Sequence, residues 1–213
     1  IYLIAGTKER FPLDTMTKQH IRHGVIESLT NSETQELDSI KNELDKRVDD
    51  LRERILQLAY EERDNVNIRG NSIEQLITRD MNSHNLEDLE FELENGKRVL
   101  IEIKTSIINR QSSPTFYNID KLFAELSDGN TYFYAFVIFI DLDNKTVGTE
   151  LVNCFDKRLL TNIAVQRHWS GRNSRGATQI TSGFQKALMQ TSGPILDVEI
   201  AEMFLEELWI EED

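Results

Sequence analysis

Residues 86–106 run Leu86-Glu87-Asp88-Leu89-Glu90-Phe91-Glu92-Leu93-Glu94-Asn95-Gly96-Lys97-Arg98-Val99-Leu100-Ile101-Glu102-Ile103-Lys104-Thr105-Ser106. Two alternating runs flank an Asn-Gly dipeptide, the pattern of a β-hairpin. In the first run Leu89, Phe91 and Leu93 face one way and Asp88, Glu90 and Glu92 the other; in the second, Val99, Ile101 and Ile103 form the apolar face. Strand side chains alternate with period two, so a one-residue slip would exchange the buried and solvated faces. A Gly in the fourth place of Leu93-Glu94-Asn95-Gly96-Lys97 favours a three-residue turn closed by a bulge at Gly96. That turn pairs Leu93 with Lys97, Phe91 with Val99 and Leu89 with Ile101, and sets Asp88 opposite Glu102. A two-residue turn would oppose Leu89 to Glu102, against the alternation.

Working outward, Lys121 to Leu126 reads as a helix, and the aromatic and branched run Thr131–Leu142 suits a central strand buried on both faces. Val147–Asn153 reads as a further strand. A helix over Lys157–Val165, a polar loop over His168–Thr178 and helices over Ser182–Gln190 and Val198–Trp209 follow. Upstream, Ile68-Arg69-Gly70 reads as a hinge before a helix over Asn71–Met81, whose Ile73, Leu76, Ile77 and Met81 share a face. Ser32 to Arg63 reads as one long helix, with Leu37, Ile40, Leu44, Val48, Leu51, Ile55 and Leu58 at spacings of three and four. Its stripe fits either the chain's own core or a helical partner, including a dimer seam. Thr17 to Leu29 reads as a shorter helix before it. The expectation is an α/β (mixed α+β) fold, a central mixed β-sheet flanked by helices. An N-terminal helical region, residues 1–66, precedes a core over residues 67–213.

The 213 residues carry a net charge of −13, with 39% hydrophobic and 29% charged residues, which suits a globular chain with a substantial core. No apolar run reaches bilayer-spanning length, and Ile1–Gly6 is too short and lacks the basic leader of a signal peptide. The lone Cys154 excludes an internal disulfide and suits a buried structural thiol, and a cytoplasmic setting is expected. An acidic chain argues against nucleic acid, but the charge is uneven. Lys157 to Leu196 holds no acid and carries +6 through Lys157, Arg158, Arg167, Arg172, Arg175 and Lys186, leaving −19 elsewhere. The alternative is a chance excess in a segment rich in Ser, Thr, Asn and Gln.

The hairpin carries the chemistry. Glu102 and Lys104 lie two apart and share a face, and the register brings Asp88 across from Glu102. Two carboxylates beside an ammonium suit Mg²⁺, a hard cation that takes carboxylate, carbonyl and phosphate oxygens. Asp88 and Glu102 would supply carboxylates, and the Ile103 carbonyl a further oxygen. Such a metal polarises a phosphate and acidifies a bound water, while Lys104 orients that water and offsets developing charge. A solvated Glu/Lys face is the plain alternative, and Glu90, Glu92 and Glu94 fit it.

Asp88, thirteen residues and then Glu102-Ile103-Lys104 resemble the PD-(D/E)xK nuclease superfamily. The likeness runs on into Thr105-Ser106. It reaches back to Gly70-Asn71-Ser72-Ile73-Glu74, similar to the family's preceding helix with its acid, and forward to the helix near Asp120 and the apolar strand after it. It covers about 75 residues, roughly Gly70 to Asp143. It departs at Leu86-Glu87, where many members have Pro. The resemblance implies an αβββαβ restriction-endonuclease-like core, Mg²⁺, a catalytic set of Asp88, Glu102 and Lys104, and a role for Glu74 near the metal. Glu74 has an equal rival role: with Asn71 as N-cap it would close a capping box.

For DNA contact the expectation falls on His168–Gln179, with Arg172, Asn173, Arg175 and Gln179 reading base edges and phosphates, joined by Arg167 and Lys157. Gly171 and Gly176 would give that loop freedom to enter a groove. The branch most resembled is the type II restriction endonuclease, a site-specific deoxyribonuclease acting on double-stranded DNA as a homodimer. Its interface would come from Ser32–Arg63 or the C-terminal helix. A repair, recombination or phage nuclease fits the same residues, and so does a non-catalytic DNA-binding or assembly subunit.

Overall fold

The computed structural model describes residues 10–30, 34–79, 89–110, 115–167, 175–191 and 193–210. The hairpin is formed by β1 (Leu89–Glu92) and β2 (Arg98–Ile107), antiparallel, with Leu89 opposite Ile101, Phe91 opposite Val99 and Glu92 opposite Arg98. The Leu93 N–H donates to the Lys97 carbonyl at 2.8 Å, and Gly96 has φ +82°. These are the register and the bulged turn expected from the alternation.

After β2 come β3 (Thr115–Asn118), α5 (Ile119–Leu126) and β4 (Thr131–Asp141). The connection returns β4 parallel to β2, Glu102 opposite Ala135 and Lys104 opposite Val137. Then β5 (Thr146–Asn153) pairs antiparallel with β4, completing a mixed sheet of order β1-β2-β4-β5. Every residue of β4 from Thr131 to Ile140 is buried, because helices or a second sheet cover both faces. The Asn118 side chain, accepting from the Lys121 N–H at 3.1 Å, starts α5 sharply.

One face of the sheet, built from Val99, Ile101, Ile103, Ile107, Tyr132 and Phe136, packs under α2 (Thr34–Asp50), α3 (Arg52–Glu61) and α4 (Val66–Thr78). The other face, with Leu100, Phe133, Ala135 and Val137, is covered by α1 (Thr15–Thr30), α5, α7 (Gly183–Gln190) and α8 (Val198–Leu208). Also on that side is a three-stranded sheet, β3-β7-β6, of β6 (Ile163–Gln166), β7 (Ala177–Ile180) and β3. Cys154 is buried there. No helix among the described residues is long and apolar enough to cross a membrane.

Five expectations need correction. Ser32–Arg63 is two helices broken at Leu51 (φ −104°, ψ 6°), because α3 turns to pack against α4 and β5. The stripe Leu37, Ile40, Leu44, Val48 and Ile55 is buried on the chain's own sheet, so it is no dimer seam. Ile68-Arg69-Gly70 is no hinge. α4 begins at Val66, with the Arg69 N–H bonded to the Asn65 carbonyl at 3.0 Å, and runs through Gly70. Its far end is held by the Arg47 guanidinium, which donates to the carbonyls of Leu76, Ile77 and Arg79.

The helix expected over Lys157–Val165 is one turn, α6 (Lys157–Leu160), capped by Asp156. The branched residues Ile163 and Val165 then alternate into β6, where sheet pairing with β7 overrides the short helical signal. The expected loop over His168–Thr178 ends inside β7, since Ala177 and Thr178 are buried strand residues; residues 168–174 lie outside the described ones.

Candidate active site

The described part of β1 starts at Leu89, which pairs with Ile101, so Glu102 is the first β2 residue past that pairing. Asp88, the expected partner of Glu102, lies outside the described residues. Glu102 and Lys104 share a face of β2 with Leu100 and Ser106. Their side chains are each 15% exposed, and the Lys104 Nζ sits 3.1 Å from a Glu102 carboxylate oxygen. Flanking apolar neighbours in β2 and β4 fix both backbones, and the pair is thereby held out of bulk water, where an ion pair is worth more than on an open surface.

Backbone direction adds a third group. Polar groups of successive strand residues point to opposite sides. The Lys97 carbonyl meets β1 through Leu93, whereas the Arg98 N–H turns the other way, to the Asn130 carbonyl at 2.9 Å just before β4. By that alternation Ile103 directs its carbonyl to the β1 side of β2, past Leu89. The Glu102 side chain projects instead from the face it shares with Lys104.

Glu74 lies mid-helix in α4, eight residues after its first residue Val66, so the capping box drawn from Asn71 is ruled out. Its Oε1 lies 3.7 Å, and the Thr105 hydroxyl 3.8 Å, from the position a Cβ at Gly70 would take, which puts the Glu74 carboxylate beside β2 near Thr105. Thr105 belongs to the face opposite Glu102 and Lys104. Glu74 therefore does not join them on one face.

On the Lys104 side a groove of about 30 Å³ opens between β2 and the start of α7. Lys104, Ser106, Arg110, Thr181, Ser182 and Gln185 line it. Gln185 donates to the Ser106 hydroxyl at 2.9 Å and to the Ile107 carbonyl at 3.1 Å, tying α7 to the strand. Arg110, Ser182 and Gln185 were not among the residues singled out from sequence. Only Ser106, two residues after Lys104, carried a signal, since it must share that face.

The expected DNA-contacting residues are mostly engaged elsewhere. Arg175 is 4% exposed, paired with the buried Asp120 and bonded to the Phe11 carbonyl at 2.9 Å, so it holds the fold together and faces no ligand. Gln179 is a β7 residue bonded to the Gln166 side chain across the small sheet. Arg167 donates to the Glu207 and Ile210 carbonyls at the C-terminal end of α8, where a cation complements the helix dipole. Lys157 opens α6, its N–H on the Ile195 carbonyl, and does not line the groove beside Lys104. Arg172 and Asn173 lie outside the described residues. Gly176, with φ +101°, is pressed against the Gln166 backbone: a Cβ there would meet its carbonyl oxygen at 2.0 Å, so this glycine serves packing and not loop freedom. The basic block is thus largely consumed internally, Arg158 too being buried against Asp156.

No family profile, curated protein or solved structure matches the chain.

Proposed function

We propose that the chain is a Mg²⁺-dependent nuclease of the PD-(D/E)xK kind, hydrolysing phosphodiester bonds of double-stranded DNA, with Glu102 and Lys104 as its catalytic pair. The observation that carries the reading is the position of that pair: sequestered from bulk water, ion-paired, and placed on β2 just past its pairing with β1. The element order α4, β1, β2, β3, α5, β4 agrees with the αβββαβ core that the resemblance implies, although β3 here pairs in the second sheet.

The donor set suits Mg²⁺. Glu102 offers a carboxylate and Ile103 a carbonyl, the hard oxygens that this cation takes alongside water and phosphate. Asp88 would complete the set, with Glu74 approaching from the α4 side. Mg²⁺ held there supplies Lewis acidity and an acidified water. Lys104, drawn to Glu102 in the absence of substrate, exchanges that contact for the attacking water or a phosphate oxygen, where its charge is worth most as negative charge develops.

The type II restriction branch carries with it a homodimer cutting both strands. With the α2 and α3 stripe used internally, α8 is the remaining helix for that contact, and it presents Met203 (65% exposed). The test is incubation of supercoiled plasmid with Mg²⁺ or EDTA. Wild type should nick or linearise DNA only with Mg²⁺, and Lys104→Ala should be inactive yet still bind. Normal cutting by Lys104→Ala would remove the catalytic assignment.

A further inference from the structure

Just past the C-terminal end of β2 two arginine side chains converge on the Arg63 carbonyl. Arg69 of α4 is 2% exposed, and its Nε has no hydrogen-bond partner. Its Nη1 donates to the Arg63 carbonyl at 3.2 Å, and the Nη1 of Arg110 donates to the same carbonyl at 3.1 Å. Two guanidinium groups therefore meet at one oxygen. The carboxylate paired with Arg110 there is Asp64, 3.2 Å away and 83% exposed, too solvated to neutralise the site. Burial, and then the charge of Arg110, hold the Arg69 guanidinium below its ordinary pKa. Two guanidinium groups thus stand against one exposed carboxylate, in a chain whose net charge is −13.

Arg110 also lines the groove that contains Lys104. The groove's chemistry is that of an anion site. The Ser106 hydroxyl accepts from Gln185 and so keeps its own proton to donate. The Ser182 hydroxyl makes no capping bond to α7. A volume of about 30 Å³ holds roughly two or three water-sized groups, enough for phosphate oxygens and too small for a base.

We infer that the groove between β2 and α7 seats a backbone phosphate of the substrate strand next to the scissile one, with Arg110 as its principal cation and Ser106 and Ser182 as hydroxyl donors. This rests on the nuclease reading for the identity of the anion. It moves the substrate track from the His168–Gln179 segment to the end of β2. A contact to phosphate positions the strand without reading its sequence.

The experiment is binding of a fluorescein-labelled duplex in Ca²⁺, followed by anisotropy across a salt series, alongside plasmid cleavage in Mg²⁺. Arg110 is 44% exposed at its side chain, so its replacement removes no core packing. Arg110→Ala should weaken binding roughly tenfold on every sequence. It should also flatten the plot of log K against log salt by about one phosphate contact, roughly 0.9. Arg110→Lys should restore the slope. Unchanged affinity and slope in Arg110→Ala, with a wild type that binds and cuts, would overturn the groove assignment alone. A wild type that binds with this Arg110 dependence but never cuts would overturn the nuclease reading and keep the groove. A wild type that neither binds nor cuts would overturn both.

Discussion

Replacing Arg175 separates a residue that builds the fold from one that touches DNA. Asp120 is 5% and Arg175 4% exposed, so neither charge has water to fall back on. One Asp120 oxygen accepts from the Arg175 guanidinium and from the Phe11 N–H at 2.8 Å; the other accepts from the Arg175 N–H at 2.7 Å. In Arg175→Met the aliphatic volume against Phe123 is kept, and both backbone donors still reach Asp120. The guanidinium is lost, and a carboxylate stays buried without its cation. Breaking such a pair costs about 3–5 kcal/mol, and the two surviving N–H bonds put this case near the lower end, about 3 kcal/mol. For a chain of 213 residues that lowers the melting temperature by roughly 6–12 °C. Urea unfolding of wild type, Arg175→Met, Asp120→Asn and the double variant measures it, and the double should lose at least about 1 kcal/mol less than the two singles added. If Arg175→Met unfolded within 0.5 kcal/mol of wild type while DNA affinity and its salt slope dropped, Arg175 would be a DNA contact and the pairing argued here would be wrong.

Two further expectations follow from the packing. Gly70 sits inside α4 with ordinary 3.7 and 3.8 Å space for a methyl group, so Gly70→Ala should stabilise by about 0.5–1 kcal/mol; destabilisation in urea would restore the hinge. Burial, foremost, with smaller contributions from Cys154 and Asp156, pushes the Tyr134 phenol up to about 12 against an opposing hydrogen bond from Asn153. Its folded value lies above the unfolded one, so its contribution is complete below pH 10 and fades as pH rises toward 12, about 2–3 kcal/mol in all. Tyr134→Phe should therefore lose less stability than wild type between pH 9 and pH 11.5, measured as urea midpoints, and an identical loss in both would contradict this.

The hairpin was readable because its alternation and its turn agree: only the Gly96 bulge keeps Leu89, Phe91 and Leu93 on the same face as Val99 and Ile101. β4 was readable from its unbroken apolar run, which only two covered faces can accept. Glu102 and Lys104 followed directly, since residues two apart on a strand must share a face. The start of α4 was hidden, because Arg69-Gly70 looks like a break locally while Arg69 is in fact a buried residue of a helix packed on β2. β6 and β7 were hidden because four-residue strands owe their conformation to each other, not to local preference. Charge counting failed at Arg158, Arg167 and Arg175 for a related reason. Their partners Asp156, the α8 carbonyls and Asp120 lie outside the block or in the backbone, where a tally along the chain does not find them.

The central claim is that Glu102 and Lys104 act on a phosphodiester. It is tested most directly by single-turnover cleavage of an end-labelled duplex by excess enzyme in Mg²⁺, comparing wild type with Glu102→Gln and Lys104→Ala and checking binding in Ca²⁺. The account predicts Mg²⁺-dependent cleavage by wild type and a loss of about 100-fold or more in each variant, with Lys104→Ala still binding the duplex. Cleavage by either variant at the wild-type rate, or a folded wild type that binds the duplex and leaves it uncut, would contradict it.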